Sequence, residues 1–85
     1  MKLALKYFAS LREALGPGET LDWPCGAEPT AAALRAWLRT RSDAHAQALA
    51  PGRAVRVAVD QALADEATPL REGAEVAFFP PVTGG

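Results

Sequence analysis

The residues best suited to chemistry in this chain are its last ones. Val76-Ala77-Phe78-Phe79-Pro80-Pro81-Val82-Thr83 is a stiff apolar run, followed directly by Gly84 and Gly85. Domains usually end in polar, disposable tails. Here a run patterned as a buried strand leads through two prolines to two residues without side chains. Pro80 and Pro81 fix φ near about −65° and favour extended chain, so the arm leaves the body in a set direction. Gly84 and Gly85 have no Cβ, so the arm fits a narrow channel and is free to adopt positive φ. From Pro81 to Gly85 its extended reach is at most about 15–18 Å. The expected chemistry is that of the Gly85 carboxylate, held at the tip of a thin arm that enters another protein's active site. Ordering such an arm costs on the order of 1–2 kcal/mol per residue, which a docked body has to offset.

Other chemistry-bearing residues are sparse. Cys25 is the one cysteine, which excludes an internal disulfide framework and fits a reducing compartment. No His or Lys stands near it in sequence to activate the thiol, so it reads as inert. His45 has no second ligand at metal spacing and reads as a solvated helix residue, so no metal site is expected. No Gly-rich phosphate loop exists, so the chain is expected to bind no ATP and no other cofactor by itself. Trp23 and Trp37 read as core. Arg35, Arg39, Arg41, Arg53, Arg56 and Arg71 read as solvated faces. The formal charge of −1 and the absence of a basic patch speak against nucleic acid as a partner. No apolar run approaches the roughly 20 residues of a membrane helix, and the N-terminus alternates like a strand and not like a signal peptide. The expected location is the cytoplasm.

The elements that must position the arm follow from periodicity. Leu3, Leu5 and Tyr7 alternate with Lys2, Ala4, Lys6 and Phe8, which predicts a half-buried strand. Ser10, with Glu13 three residues on, predicts a capping box opening a short helix that ends at Gly16-Pro17. Thr20 to Trp23 predicts a second strand. Thr30 caps the main helix, whose stripe is Leu34, Trp37 and Leu38. Ser42-Asp43 restarts a second helical piece through Ala48-Leu49, broken at Pro51-Gly52. Val55, Val57 and Val59 predict a third strand, Gln61 to Ala64 a short fourth one after a turn at Asp60, and Glu75 to Phe79 the last. Thr68 to Gly73 is a loop with room for one helical turn. One amphipathic helix cannot cover both faces of a five-stranded sheet, so the 85 residues form a single α+β domain with one face partly open. Val76 and Phe78 are expected in the core. Phe8 and Phe79, with Leu63 beside them, are expected on the open face as an apolar partner site.

The stretch Glu72-Gly73-Ala74-Glu75-Val76-Ala77-Phe78-Phe79-Pro80-Pro81-Val82-Thr83-Gly84-Gly85, with the opening Leu5-Lys6-Tyr7-Phe8-Ala9 and Leu11-Arg12-Glu13, resembles the ubiquitin-like sulfur carriers of the β-grasp fold, in particular the small subunits of molybdopterin synthase. The resemblance covers the whole chain. Ala74 stands where that family usually has Asp, and Asp60 where Asn is common; both lie at turns or strand entries. The resemblance implies a mixed sheet of about five strands with one main helix on one face, and a flexible tail over residues 82–85.

It also implies a route. An E1-like activating enzyme uses ATP to adenylate Gly85. A sulfur donor, such as a cysteine desulfurase or a rhodanese-type protein, converts the adenylate to a thiocarboxylate. That sulfur is then given to cyclic pyranopterin monophosphate to form the dithiolene of molybdopterin, in molybdenum cofactor biosynthesis. The chain would be a cosubstrate, with the active site mainly on a larger subunit and two copies of each subunit in the complex. Gly84 and Gly85 carry the chemistry; Phe8, Leu63, Phe79, Pro80, Pro81, Val82 and Thr83 meet partners. Three other readings stand beside it: a ubiquitin-like tag joined through Gly85 to lysines, a sulfur carrier for thiamine thiazole synthesis, and a passive adaptor whose tail is irrelevant.

Overall fold

The computed structural model of the chain describes residues 1–81. The alternation of Leu3, Leu5 and Tyr7 builds β1 (Lys2–Tyr7), in which every second residue is buried. Strand pairing continues one residue further, because the Phe8 N–H donates to the Phe78 carbonyl at 3.2 Å. The chain then turns at once into α1 (Ala9–Leu15), with Ala9 at φ 52° and Phe8 at the cap position. The capping box expected from Ser10 and Glu13 is not formed, since Ser10 already lies inside the helix and no side chain caps it. β2 (Gly18–Asp22) returns antiparallel to β1. Gly18 sits at φ 136°, where a Cβ would collide with the Leu5 carbonyl, so this position demands glycine.

Thr30 caps α2 (Ala31–Leu38) as expected, its Oγ1 accepting the Ala33 N–H at 3.2 Å. Ser42 caps α3 (Asp43–Ala48) through the His45 N–H at 3.1 Å. β3 (Arg56–Val59) and β4 (Ala62–Ala64) form a hairpin. Its two loop residues, Asp60 and Gln61, both have positive φ, of 51° and 68°, the backbone pattern that matches strand twist in two-residue loops. β5 spans Glu75–Phe79. No helical turn forms between Thr68 and Gly73. That loop is instead tied to the start of α2, where the Leu70 N–H donates to the Pro29 carbonyl at 2.7 Å.

The sheet order is β2-β1-β5-β3-β4, with β1 and β5 parallel and the other pairs antiparallel. This is a mixed five-stranded sheet, as expected. Leu3, Leu5, Tyr7, Leu21, Val57, Val76 and Phe78 point to the side where Leu11, Leu34, Leu38 and Leu49 of the helical layer are buried. The helical layer is richer than one helix, because α1 and α3 accompany α2 and pack against each other. Trp23 is core as expected, whereas Trp37 is only half-buried and lies under the Arg41 guanidinium, 5.4 Å from the ring centre. Among the described residues, no helix is long and apolar enough to cross a membrane.

Arg35 corrects the sequence reading: it is buried. The bend after α3 turns carbonyls toward α2. Arg35 Nε donates to the Leu49 carbonyl at 2.9 Å, and Nη2 donates to those of Ala50 and Arg53 at 2.6 and 3.0 Å. Nη1 pairs with Glu66 Oε1 at 2.6 Å. Only a guanidinium carries enough donors in one plane for all four acceptors.

Candidate functional site

The face of the sheet opposite the helices is built by strand alternation. Parallel pairing of β1 with β5 sets Lys6 beside Ala77 and Tyr7 beside Phe78. The next residues in line, Phe8 and Phe79, therefore stand side by side on the open face. Antiparallel pairing adds Arg56 opposite Phe79, and Ala58 opposite Ala77. Leu63 comes next, opposite Ala58 on β4. The face thus has one row of Phe8, Phe79 and Arg56. The adjoining row is Lys6, Ala77, Ala58 and Leu63.

The register brings Phe8 and Phe79 together on the open face and sets Leu63 apart from them. Phe8 is 45% exposed and Leu63 75% exposed, the two large hydrophobic residues that stand out in this way among the described residues. Phe79 is half-buried. Leu63 does not touch the aromatic pair as one cluster; neighbouring strands are spaced about 4.8 Å apart, so it stands on the far side of Ala58 and Ala77. Ala77 is buried and Ala58 half-buried, low between their taller neighbours.

One of the cations on this face is paired. Lys6 Nζ lies 3.1 Å from Glu75 Oε1. Lys2 is the cross-strand neighbour of Asp22, which also lies 3.5 Å from the Met1 amino group. Arg56 is exposed and forms no ion pair among the described residues. The alternation of Val55, Val57 and Val59 already put Arg56 on the face away from the core. The register that sets it against Phe79 is a long-range property with no local signal.

The same row leads into the arm. Phe79 ends β5, and Pro80 and Pro81, both half-buried, carry the chain off the sheet. The expectations for Val82, Thr83, Gly84 and Gly85 lie outside the described residues. Behind the face, Tyr7 stacks on Phe78 with ring centres 6.3 Å apart. Its buried hydroxyl has no hydrogen-bond partner among the described residues. Burial first, and the Glu19 charge second, push its pKa up to about 12, against the opposing pull of Arg41. Among the described residues no group of His, Cys, Asp and Glu could hold a metal.

This arrangement matches known proteins closely. The model of the ThiS family matches residues 5–85. The molybdopterin synthase sulfur carrier subunit of Escherichia coli (strain K12) is 45% identical over 82 residues, covering 93% of this chain and 94% of that protein. Among solved structures, SAMP1 from Haloferax volcanii superposes with a TM-score of 0.77 at 24% identity, over the full length of both chains. A chain in the complex of subunits 1 and 2 of the molybdopterin-converting factor from Helicobacter pylori 26695 gives a TM-score of 0.67 at 23% identity, again over both full lengths. These two structural likenesses establish the ubiquitin-like β-grasp fold, and the match over residues 5–85 places the chain in the ThiS family.

Proposed function

We propose that this chain is the sulfur carrier, and the small subunit, of a molybdopterin synthase. The observation that carries the reading is the 45% identity to the Escherichia coli sulfur carrier subunit over nearly all of both chains. The open face supports it, because an exposed apolar surface leads directly into the arm that ends in Gly84-Gly85. A surface of that kind holds the body while the arm enters a partner.

A free carboxylate is a poor acyl donor, since the oxygen it must lose is a poor leaving group. The Gly85 carboxylate attacks the α-phosphorus of ATP in an activating enzyme, and pyrophosphate leaves. A hydrosulfide equivalent from a sulfur donor then attacks the acyl carbon. AMP leaves with the electron pair of the broken C–O bond, and the nucleophile sheds its proton to solvent. The thiocarboxylate sulfur is the nucleophile delivered to the pterin precursor within the larger subunit. The chain contributes the acyl carbon, a side-chain-free approach to it, and the docking face; the acids and bases belong to its partners. It binds no cofactor of its own, and ATP is the activating enzyme's substrate. The setting is cytoplasmic, and Phe8, Leu63, Phe79 and the arm from Pro80 to Thr83 form the contact with partners.

The test is the intact mass of the chain after incubation with ATP, its activating enzyme and a sulfur source. The expected result is an oxygen-for-sulfur increase localised to Gly85 and lost when Gly85 is deleted. An unchanged mass beside a demonstrably active enzyme would overturn the reading. Isopeptide-linked conjugates appearing in its place would assign the tail to protein tagging.

A further inference from the structure

We propose that Arg12 and Arg56 flank the Phe8–Phe79 pair as a basic rim that reads acidic side chains on the larger subunit. This rests on the docking reading above. Lys6 is matched by Glu75, and Lys2 lies at the far end of β1 from Phe8, so the unpaired cation beside the aromatic pair among the described residues is Arg56. It stands opposite Phe79, at the point where the chain leaves the sheet. A second exposed cation adjoins Phe8. Arg12 lies at the middle of α1, at the start of its last turn, its N–H donating to the Phe8 carbonyl at 3.3 Å. Ser10, Leu11 and Ala14 face α3 across a groove. Helical spacing therefore turns Arg12 away from that groove, and its backbone bond to Phe8 keeps it one turn from the aromatic pair. Arg12, like Arg56, forms no ion pair among the described residues.

Two anion chemistries fit such cations: a phosphate of the nucleotide or pterin, and carboxylates on the partner. Geometry favours the carboxylates. The reacting carbon belongs to Gly85, and the chain from Pro81 can carry it up to about 15–18 Å into the partner. With the arm fully inserted, phosphates near that carbon are beyond the reach of the Arg12 and Arg56 side chains, which stay with the body. What faces the two arginines when the arm is inserted is the mouth of the partner's channel. Its contact is solvent-accessible, so its main effect is on the rate and orientation of encounter.

The test is the kinetics of binding to the chain's own larger subunit at low and high salt, for wild type, Arg12→Glu, Arg56→Gln, Arg56→Glu and Phe79→Asp, each checked for native thermal unfolding. At low salt Arg56→Gln is expected to slow association about 3- to 5-fold, and each Glu variant roughly 10-fold or more. The differences should shrink at high salt, where the screening length falls to about 3 Å. Phe79→Asp should act through dissociation at both salts. If Arg12→Glu and Arg56→Glu associate within about twofold of wild type at low salt while Phe79→Asp fails to hold, the rim is overturned and docking stands. An effect of the Glu variants that appears only with nucleotide or pterin present overturns it in favour of a phosphate contact. Absence of wild-type binding overturns the docking reading and the rim together.

Discussion

Asp60 and Glu75 bond each other twice across the start of β5. The Asp60 N–H donates to the Glu75 carbonyl at 2.8 Å, and Asp60 Oδ1 accepts the Glu75 N–H at 3.0 Å. A turn residue thus caps the strand that carries the arm. Asp60 also holds a left-handed backbone, which Asp and Asn tolerate best after glycine. Asp60→Asn keeps the accepting oxygen and should leave stability within about 0.5 kcal/mol, whereas Asp60→Ala should cost about 1–2 kcal/mol. Gln61, at φ 68°, carries strain with no such bond, so Gln61→Gly should gain about 1 kcal/mol. Urea unfolding of the three variants checks all of this.

The two ends of the Arg35–Glu66 pair should respond unequally. Arg35 is buried and serves three carbonyls besides the carboxylate, while the Glu66 side chain is 57% exposed. Arg35→Ala strands those acceptors and should cost about 3 kcal/mol or more. Glu66→Gln leaves the carbonyl contacts in place and should cost less than about 1 kcal/mol. Equal losses in thermal unfolding would show that the ion pair, and not the carbonyl clamp, holds α2 to the chain after α3.

Tyr7 hides a hydroxyl without a protein partner among the described residues. Tyr7→Phe removes that penalty and should stabilise the domain by about 1 kcal/mol at neutral pH. A second effect appears in alkali. The folded-state pKa is raised from 10.0 to about 12, so the unfolded state loses its proton first. Stability is intact below pH 10 and falls as pH rises toward about 12. The denaturation midpoint of wild type should therefore drop between neutral pH and pH 11.5 by more than that of Tyr7→Phe.

His45 should leave an acidic signature. Its Nδ1 lies 2.7 Å from Ser42 Oγ, and burial first, then Arg41, lower its pKa below 6.5, with Glu19 opposing. Because the unfolded state takes up the proton more readily, stability is full above pH 6.5 and declines as pH falls toward the lower folded value. His45→Gln should flatten that decline. An unchanged slope between pH 7 and 5 in the variant would assign the acid sensitivity to other groups.

What local pattern dictates was readable in the chain. The run from Glu75 to Phe79 is the last strand, with Val76 and Phe78 inward as their alternation requires. Thr30 and Ser42 cap the helices that follow them. Phe8 and Leu63 are exposed as expected. What failed to show is non-local. The start of α1 is fixed by the bond from Phe8 to Phe78, which a window around Ser10 does not contain. The burial of Arg35 depends on carbonyls beyond α3, so a charged residue beside an apolar stripe reads as solvated. Gly18 is required by the Leu5 carbonyl of the neighbouring strand. The setting of Arg56 against Phe79 depends on the register of two strands far apart in sequence.

The central place of β5 governs the order of events in the life of the molecule. β1 and β3 do not pair with each other; each pairs with β5. During synthesis the early strands and helices emerge with the middle of their sheet missing, and no continuous core can close until Phe79 is out. Folding therefore waits until β5 has been made. A chain cut short before that strand cannot close the sheet and is left to proteolysis. The domain thereby screens its own product: a molecule able to present the Phe8–Phe79 face to a partner is one whose synthesis has reached the root of the arm.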